Sequence, residues 1–94
     1  MYELSYTSRF LSAAKRCKKQ GKNMNLLWEA VRLLMEEGCL PDSYFPHLLH
    51  AEYAGYWECH IEDDWLLIWK QNDKKLTLVL TNLGSHEELF SSKH

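Results

Sequence analysis

The side chains of this sequence that are best suited to acid–base chemistry are its histidines, all of which lie from position 47 onward. An unperturbed imidazole has a pKa of about 6.5, so near neutral pH it can either accept or donate a proton. An aspartate beside a histidine can orient the ring and stabilise the imidazolium form. The set that we single out on this ground is His47, His60, Asp64 and His86. For each histidine taken singly, a surface or hydrogen-bonded role remains the alternative.

Metal-free cleavage of RNA is one reaction that such a set could perform. It needs a base for the 2′-hydroxyl group, an acid for the leaving 5′-oxygen and positive charge near the phosphate. The rival interpretation is a zinc site, whose ligands would be Cys59, His60, Asp64 and His86. Adjacent Cys59 and His60 would point to opposite faces of a strand, which argues against shared coordination. We therefore expect neither a metal ion nor another cofactor.

Length and composition limit the classes of protein that are compatible with these residues. With 94 residues, of which 46% are hydrophobic and 26% charged, the chain fits one globular domain over positions 1–94. No apolar run approaches the roughly 20 residues of a membrane span, and the first ten residues contain no apolar core of a secretion signal. The cysteines lack metal-ligand spacing, so we expect free thiols in a reducing cytoplasm.

The net charge of −2 hides an uneven distribution of charged side chains. Residues 1–22 hold six basic side chains and a single acidic one, whereas residues 23–64 hold a single basic and nine acidic ones. The basic segment includes Lys15 and Lys18 and could follow a phosphate backbone. A solvated amphipathic helix is the alternative explanation for the same charges.

Periodicity predicts the elements that must position these side chains. Two amphipathic helices follow a short first strand, and three strands follow an irregular crossover. The predicted bounds are 2–6 for the first strand, 7–21 and 23–38 for the helices, 39–52 for the crossover, and 56–62, 65–69 and 76–81 for the later strands. Ser85 can then cap a last turn through Phe90. This β-α-α-β-β-β order indicates an α+β fold, with the helix hairpin on one face of a mostly antiparallel four-stranded sheet.

The order of the last three strands brings part of the histidine set together. His60 lies near the end of the first of these strands, Asp64 opens the second, and His86 follows the third. Because adjacent antiparallel strands alternate in direction, these positions meet at the same end of the sheet. The sequence therefore predicts a cluster of His60, Asp64 and His86 there.

Two motifs in this region resemble those of the YafQ-like branch of the RelE/ParE toxin superfamily. They are GYWECHIEDDWLLIWK at positions 55–70 and LGSHEELF at positions 83–90. His47 also precedes His60 by 13 positions, as in that family. The specific part of the resemblance covers about half of the chain, and the predicted order of elements is also that of the family.

The resemblance implies a toxin of a type II toxin–antitoxin system that cleaves mRNA in the ribosomal A site. The products would carry a 2′,3′-cyclic phosphate or a 3′-phosphate. The implied partner is a cognate antitoxin, with operator DNA bound only by the toxin–antitoxin complex and no membrane involved.

The family pattern also implies roles for individual residues. The catalytic set would be His47, His60, Asp64 and His86, and Phe90 would be a substrate contact. We add Trp65, Lys70, Lys15 and Lys18 as further candidate substrate contacts. For the tryptophan, a place in the core is the alternative.

Three positions depart from the family motif. Trp57 and Asn82 replace arginines that many relatives carry, and Asp63 replaces a common proline. Two lost cations near a phosphate would remove transition-state stabilisation. An alternative function is therefore an inactive or weakly active module that acts mainly as antitoxin partner and operator co-repressor. The gyrase-directed ParE branch is a third hypothesis, and the histidine set argues against it because binding to gyrase needs no acid–base groups.

Overall fold

The structure, a computed structural model, describes residues 1–90 as a succession of short strands and helices. The elements are β1 (Glu3–Tyr6), α1 (Ser8–Lys19), α2 (Met24–Glu37), β2 (His47–Leu48), β3 (Trp57–Glu62), β4 (Trp65–Asn72), β5 (Thr77–Gly84) and α3 (His86–Phe90). The predicted α+β class and order of elements are confirmed. β2 was not predicted, because two residues are too few to show an alternating pattern. Within residues 1–90, no helix is long and apolar enough to cross a membrane.

Capping residues define where the two long helices begin and end. α1 begins after Thr7, whose hydroxyl accepts a hydrogen bond from the backbone N–H of Phe10 (3.0 Å). α2 begins after Asn23, whose side chain accepts one from a backbone N–H two residues later (3.1 Å). It ends at Gly38, where φ is +73° and a Cβ would lie 2.7 Å from the Tyr2 hydroxyl. The predicted helix hairpin is therefore confirmed.

The five strands form one sheet in the order β1-β5-β4-β3-β2. β1 runs parallel to β5 and the other neighbouring pairs are antiparallel, as expected for a mostly antiparallel sheet. The sheet has five strands where four were predicted, because the short β2 adds to it by pairing with the start of β3. This pairing places His47 opposite Glu58. At the other end of β3, the register with β4 shifts between His60 and Glu62.

Both faces of β4 are covered by apolar side chains, as its uninterrupted apolar run indicates. Trp65 and Trp69 pack in the main core with α1 and α2, whereas Leu66 and Ile68 point to the opposite face. Leu89 of α3 and part of the crossover close that second face. The prediction of helices on one face thus holds for α1 and α2, while the short α3 packs on the other.

The helix α1 also provides hydrogen-bond donors to backbone carbonyls of β5 that no strand reaches. β1 pairs only with Thr77–Leu80, so the second half of β5 is paired with β4 on one side and has no strand on the other. The Thr7 hydroxyl donates a hydrogen bond to the Thr81 carbonyl (2.8 Å), and the Arg16 guanidinium donates one to the Leu83 carbonyl (3.2 Å). These contacts bring the basic first helix to the end of β5, next to α3.

Candidate active site

The end of the sheet beyond β4 and β5 carries a hydrogen-bonded pair, Asp64 and His86. Leu66 of β4 lies opposite Gly84 of β5, so the residues two positions outside this pair come side by side. Asp64 Oδ1 accepts hydrogen bonds from the backbone N–H of His86 (2.9 Å) and from its ring Nδ1 (2.9 Å). Because a carboxylate only accepts, Nδ1 carries the proton in this contact and Nε2 is left for acid–base chemistry.

These contacts hold the pKa of Asp64 below its usual range. The largest cause is the backbone N–H of His86, followed by its ring, and the positive charge of Lys22 acts in the same direction. The carboxylate therefore stays ionised at neutral pH and can stabilise a protonated His86. A lowered pKa in the folded state means that this contact supports stability above the ordinary carboxyl pKa of about 3.9. That support is lost as the pH falls through the lowered pKa.

His60 completes the predicted cluster from the neighbouring strand. It lies opposite Leu66 near the end of β3, and its ring centroid is 5.7 Å from that of His86 with an interplanar angle of 67°. The predicted convergence of His60, Asp64 and His86 at one end of the sheet is therefore confirmed. Two imidazoles at this separation can act on the same small group, such as one phosphodiester.

A capping box holds His86 at the first position of α3. The Ser85 hydroxyl accepts a hydrogen bond from the backbone N–H of Glu88 (3.1 Å), and Glu88 Oε1 accepts one from the backbone N–H of Ser85 (2.9 Å). The second bond is the largest cause of the lowered pKa of Glu88. Glu88 also pairs with Arg16 of α1 (3.4 Å). The prediction that Ser85 caps a last turn is confirmed, and the cap positions the histidine.

We expect Ser85→Ala to destabilise the protein by about 0.5–2 kcal/mol, as for other N-cap losses, because the Glu88 N–H loses its acceptor. The start of α3 should then fray, so any activity that depends on His86 should fall more than stability alone explains. Urea unfolding measures the first effect. Ser5→Ala on β1 is the matched control, since Ser5 is exposed and caps no helix. Equal stability of the two variants would contradict the structural role of the cap.

Phenylalanine rings lie on both sides of the histidine pair. The centroid of Phe90 is 6.2 Å from that of His86, and Tyr53 packs edge-on against Phe90 at 5.4 Å. On the other side, Phe45 lies 5.5 Å from His60. Phe90 was a predicted substrate contact and lies beside the cluster, whereas Phe45 was missed. It lies in an irregular segment without periodicity, so no sequence signal marks it.

His47 is held apart from the His60–His86 pair by its own contacts. Its Nε2 lies 3.1 Å from Glu58 Oε1, and its Nδ1 lies 3.1 Å from the Phe45 carbonyl. Both neighbours are hydrogen-bond acceptors, and each ring nitrogen of His47 faces one of them. Among the described residues Glu58 is the charged side chain that is buried, at 4% exposure, and a hydrogen-bond partner on its carboxylate offsets part of its desolvation. The geometry therefore gives His47 a supporting place, behind Phe45.

Trp65 does not have the surface that a substrate contact needs. Its side chain is fully buried, and its indole N–H donates a hydrogen bond to Cys17 Sγ (3.2 Å). The alternation of β4 points it into the core below the helices, although it follows Asp64 directly in sequence. Its prediction as a substrate contact is corrected to a core role, which was the alternative.

The predicted basic contacts lie outside the cluster, and a different cation, Lys22, approaches it instead. Lys15 and Lys18 are exposed on the side of α1 that carries Leu11, and the Lys70 ammonium lies 5.1 Å from the ring centre of Tyr56. No contact joins these lysines to the cluster within residues 1–90. The Lys22 ammonium, in contrast, lies over the Trp65 ring (5.7 Å), and its charge lowers the pKa of Asp64. In the sequence Lys22 is only one of the basic residues of positions 1–22, because its neighbour Trp65 is distant along the chain.

A cleft of about 810 Å³ adjoins α3 on the second face of the sheet. Its lining includes Arg9 and Arg16 of α1, and Tyr53 and Tyr56 of the segment that precedes β3. Asn82, which replaces an arginine of the family motif, also lines this cleft. The cleft therefore offers cations and aromatic rings beside α3, but one fewer cation than that motif would supply.

The zinc ligands considered from the sequence are not assembled. Cys59 is fully buried in the main core, where burial raises the pKa of its thiol to about 12, while the neighbouring His60 faces the cluster. Among residues 1–90, no group of three or more His, Cys, Asp and Glu side chains is arranged to hold a metal ion. Cys17, Cys39 and Cys59 are free thiols.

Comparison with protein families and curated sequences gives consistent matches over nearly the whole chain. Residues 2–91 match the family model described as "Bacterial toxin of type II toxin-antitoxin system, YafQ". The chain is 35% identical over 89 residues to the mRNA interferase toxin YafQ of Escherichia coli, with 94% of this chain and 95% of that protein covered. It is 30% identical over 91 residues to the putative toxin YafQ of Haemophilus influenzae, covering 92% and 89%.

Solved structures agree with this assignment. Crystalline YafQ from E. coli superposes with a TM-score of 0.89 at 32% identity, and covers 97% of this chain and 100% of that one. YafQ in the E. coli DinJ–YafQ complex gives a TM-score of 0.87 at 33% identity, with coverage of 97% and 100%. A metal-bound toxin from Helicobacter pylori gives 0.87 at 33% identity, with coverage of 96% and 100%. The motifs, the fold and these matches together show that the chain belongs to the YafQ family of type II toxin–antitoxin toxins.

Proposed function

We propose that this toxin is an endoribonuclease that cleaves mRNA in the ribosomal A site by histidine acid–base catalysis, without a metal ion. The observation that carries the proposal is the Asp64–His86 pair, which leaves Nε2 of His86 free beside the ring of His60. The relatives named as mRNA interferases support the choice of substrate.

The proposed reaction uses two proton transfers at one phosphodiester. A base removes the proton of the 2′-hydroxyl, and the resulting oxygen attacks the phosphorus. The bond from phosphorus to the 5′-oxygen then breaks, an acid protonates that leaving oxygen, and a 2′,3′-cyclic phosphate remains. His86 would lie nearest the phosphate, with His60 as the second proton-transfer group and Asp64 orienting and stabilising His86. His47 would act through Phe45 and Glu58, and Phe90 would contact the substrate.

Metal independence is part of the proposal because the described side chains supply the necessary chemistry themselves. Two imidazoles provide the acid and the base, and nearby cations provide positive charge. A related toxin from H. pylori has been crystallised with bound metal, so the proposal needs a direct test. We expect the toxin to retain its cleavage activity after it alone has been dialysed exhaustively against EDTA and returned to the translation reaction. If the dialysed toxin no longer cleaves and added zinc or copper restores cleavage, metal independence is refuted.

The proposed partners follow from the family. E. coli YafQ forms a complex with DinJ, and we propose that this toxin likewise binds a cognate antitoxin. Operator DNA would be bound only by the toxin–antitoxin complex. Because the proposed substrate lies on the ribosome, the toxin would act in the bacterial cytoplasm.

A weakly active or inactive module that serves as antitoxin partner and co-repressor is the second candidate function. Two observations favour it: the net charge of −2 and the absence of both motif arginines. Trp57 stacks on Trp69 (6.0 Å), and Asn82 Oδ1 accepts a hydrogen bond from the Leu83 N–H, so neither residue brings a cation to the site.

Cleavage on translating ribosomes separates the two functions. Purified toxin is added to a translation reaction, and mRNA ends are mapped by primer extension with a ribosome-free reaction as control. We expect cuts in phase with codons that require the ribosome. Intact mRNA together with normal translation would contradict the nuclease and leave the antitoxin-binding module as the better account.

Lys22 is expected to supply part of the positive charge that the missing arginines would otherwise provide. We predict that Lys22→Ala lowers kcat/KM for cleavage about tenfold or more, since one charge near the phosphate is worth at least about 1.4 kcal/mol. Lys75→Ala is the matched control, because Lys75 is exposed in the turn at the opposite end of β4 and β5. If both variants cleave like the wild type, the prediction for Lys22 is wrong and another residue supplies the positive charge near the phosphate.

A further inference from the structure

Phe45 is an exposed aromatic residue that the core does not explain. Its side chain is 66% exposed, more than any other large apolar side chain of the described residues except Met1. Other exposed apolar residues, such as Leu11 and Trp28, lie on the helix hairpin, away from the histidines. Phe45 alone among them has its ring against a residue of the active-site cluster. Its exposed position beside His60 makes Phe45 a candidate ligand contact.

The backbone at Phe45 adopts a conformation that residues with a side chain rarely take. It has φ 51° and ψ 51°, in the left-handed region, and ends the short helical turn Asp42–Tyr44. Its N–H donates a hydrogen bond to the Asp42 carbonyl (2.8 Å), and its carbonyl accepts one from Nδ1 of His47 (3.1 Å). Residue 46 is proline, which ordinarily favours an extended residue before it. The surroundings therefore hold the backbone at Phe45 against a local preference.

The ring continues a row of aromatic side chains across the site. Phe45 lies edge-on to His60 (5.5 Å, 65°), His60 lies edge-on to His86 (5.7 Å), and His86 is followed by Phe90 (6.2 Å). The histidine pair thus lies between two phenylalanines. Phe90 is half-buried and supported by Tyr53, whereas Phe45 is largely open to solvent. An open aromatic face next to a phosphate site matches a nucleobase, because each phosphate of a single strand lies between two bases.

We propose that Phe45 stacks on a nucleobase adjacent to the scissile phosphate, on the His60 side of the site. The inference rests on the proposed ribonuclease function and adds a substrate contact to it. Stacking on a phenyl ring tolerates any base, so Phe45 would contribute to binding and to placement of the phosphate between the histidines, and not to proton transfer. His47 would act as a positioning residue, since it fixes the Phe45 carbonyl.

Cleavage kinetics on programmed ribosomes test this role. Phe45→Ala should raise KM about 5- to 100-fold, the range typical for loss of one base–aromatic stack, with kcat within about threefold of the wild type. Phe45→Trp should restore KM because it returns an aromatic face. Leu48→Ala is the matched control, as Leu48 is an exposed apolar residue of the same segment (47%) and should leave KM unchanged. Thermal unfolding checks that the variants are folded.

A binding measurement keeps this test independent of cleavage. Short RNAs with 2-aminopurine at successive positions are titrated with His86→Gln protein, with and without Phe45→Ala. We expect fluorescence quenching at one position that disappears when Phe45 is replaced. The same quenching in both proteins would overturn the inference.

The outcomes also separate this inference from the function on which it rests. A wild-type protein that does not cut mRNA contradicts the nuclease. Normal cutting by Phe45→Ala with unchanged KM contradicts only the stacking role. If Phe45→Ala cuts normally but is no longer inhibited by the antitoxin, the ring belongs to a protein interface and the proposal is wrong.

Discussion

Replacement of His86 by alanine is expected to abolish most ribosome-dependent cleavage, with a rate loss of about 100- to 10,000-fold. The reason is that in the proposed mechanism Nε2 of His86 transfers the proton, while Nδ1 is held by Asp64. The backbone N–H of residue 86 would still donate to Asp64, and the Ser85–Glu88 capping box would remain, so the fold should survive. Primer extension gives the cleavage rate, and circular dichroism with thermal unfolding checks the fold.

His50→Ala is the matched control for His86→Ala. His50 is also exposed and lies in the crossover, where it precedes a short helical turn without a side-chain capping bond. The His50→Ala protein should cleave at the wild-type rate. If the folded His86→Ala protein still cleaves mRNA, the nuclease function stands but the catalytic role assigned to His86 is wrong. His60 would then be the first residue to replace.

Trp65→Ala is expected to destabilise the protein by about 3–5 kcal/mol, the usual cost of removing a large aromatic side chain from a core. Trp65 is fully buried between the sheet and the helices, so the truncation leaves a cavity and removes the hydrogen bond to Cys17. A domain of this kind is typically stable by only about 5–15 kcal/mol, so the loss is a large share of the total. Urea unfolding measures the difference. Trp28→Ala on α2 is the control, because that indole is 41% exposed and should cost far less.

Trp65→Phe separates the core role from the substrate contact that the sequence suggested. Phenylalanine keeps most of the buried apolar surface and loses only part of the volume and the indole N–H. We expect a modest loss of stability and a nearly normal cleavage rate below the unfolding transition. A stable Trp65→Phe protein that binds RNA poorly would restore the substrate contact and show that our correction is wrong.

The two motif arginines that this chain lacks make the remaining cations more important than in relatives that carry them. Asn82 lines the cleft beside α3 together with Arg9 and Arg16 of α1, and Lys22 of the helix hairpin acts on Asp64 of the cluster. Arg16 is partly committed, since it bonds to the Leu83 carbonyl and pairs with Glu88. A lower rate than that of relatives with both arginines would follow from this arrangement.

The elements and the centre of the site could be predicted from local residue patterns. Thr7, Asn23 and Gly38 define the helix hairpin through local hydrogen bonds and backbone preference, which operate over a few residues. The cluster of His60, Asp64 and His86 was also predictable, because antiparallel pairing of consecutive strands dictates which strand ends meet. The family motifs cover the same residues.

The surroundings of that centre depend on contacts between separate segments of the chain. The burial of Trp65, the approach of Lys22 to Asp64 and the contact of Phe45 with His60 join segments that are distant in sequence. The pairing of His47 with a buried Glu58 depends on β2, which is too short to leave a pattern. Periodicity reports which face of an element is apolar, but it carries no information on which other segment packs there. For this reason the acid–base groups follow from the sequence, whereas their cations, aromatic contacts and supporting residues follow from the packing.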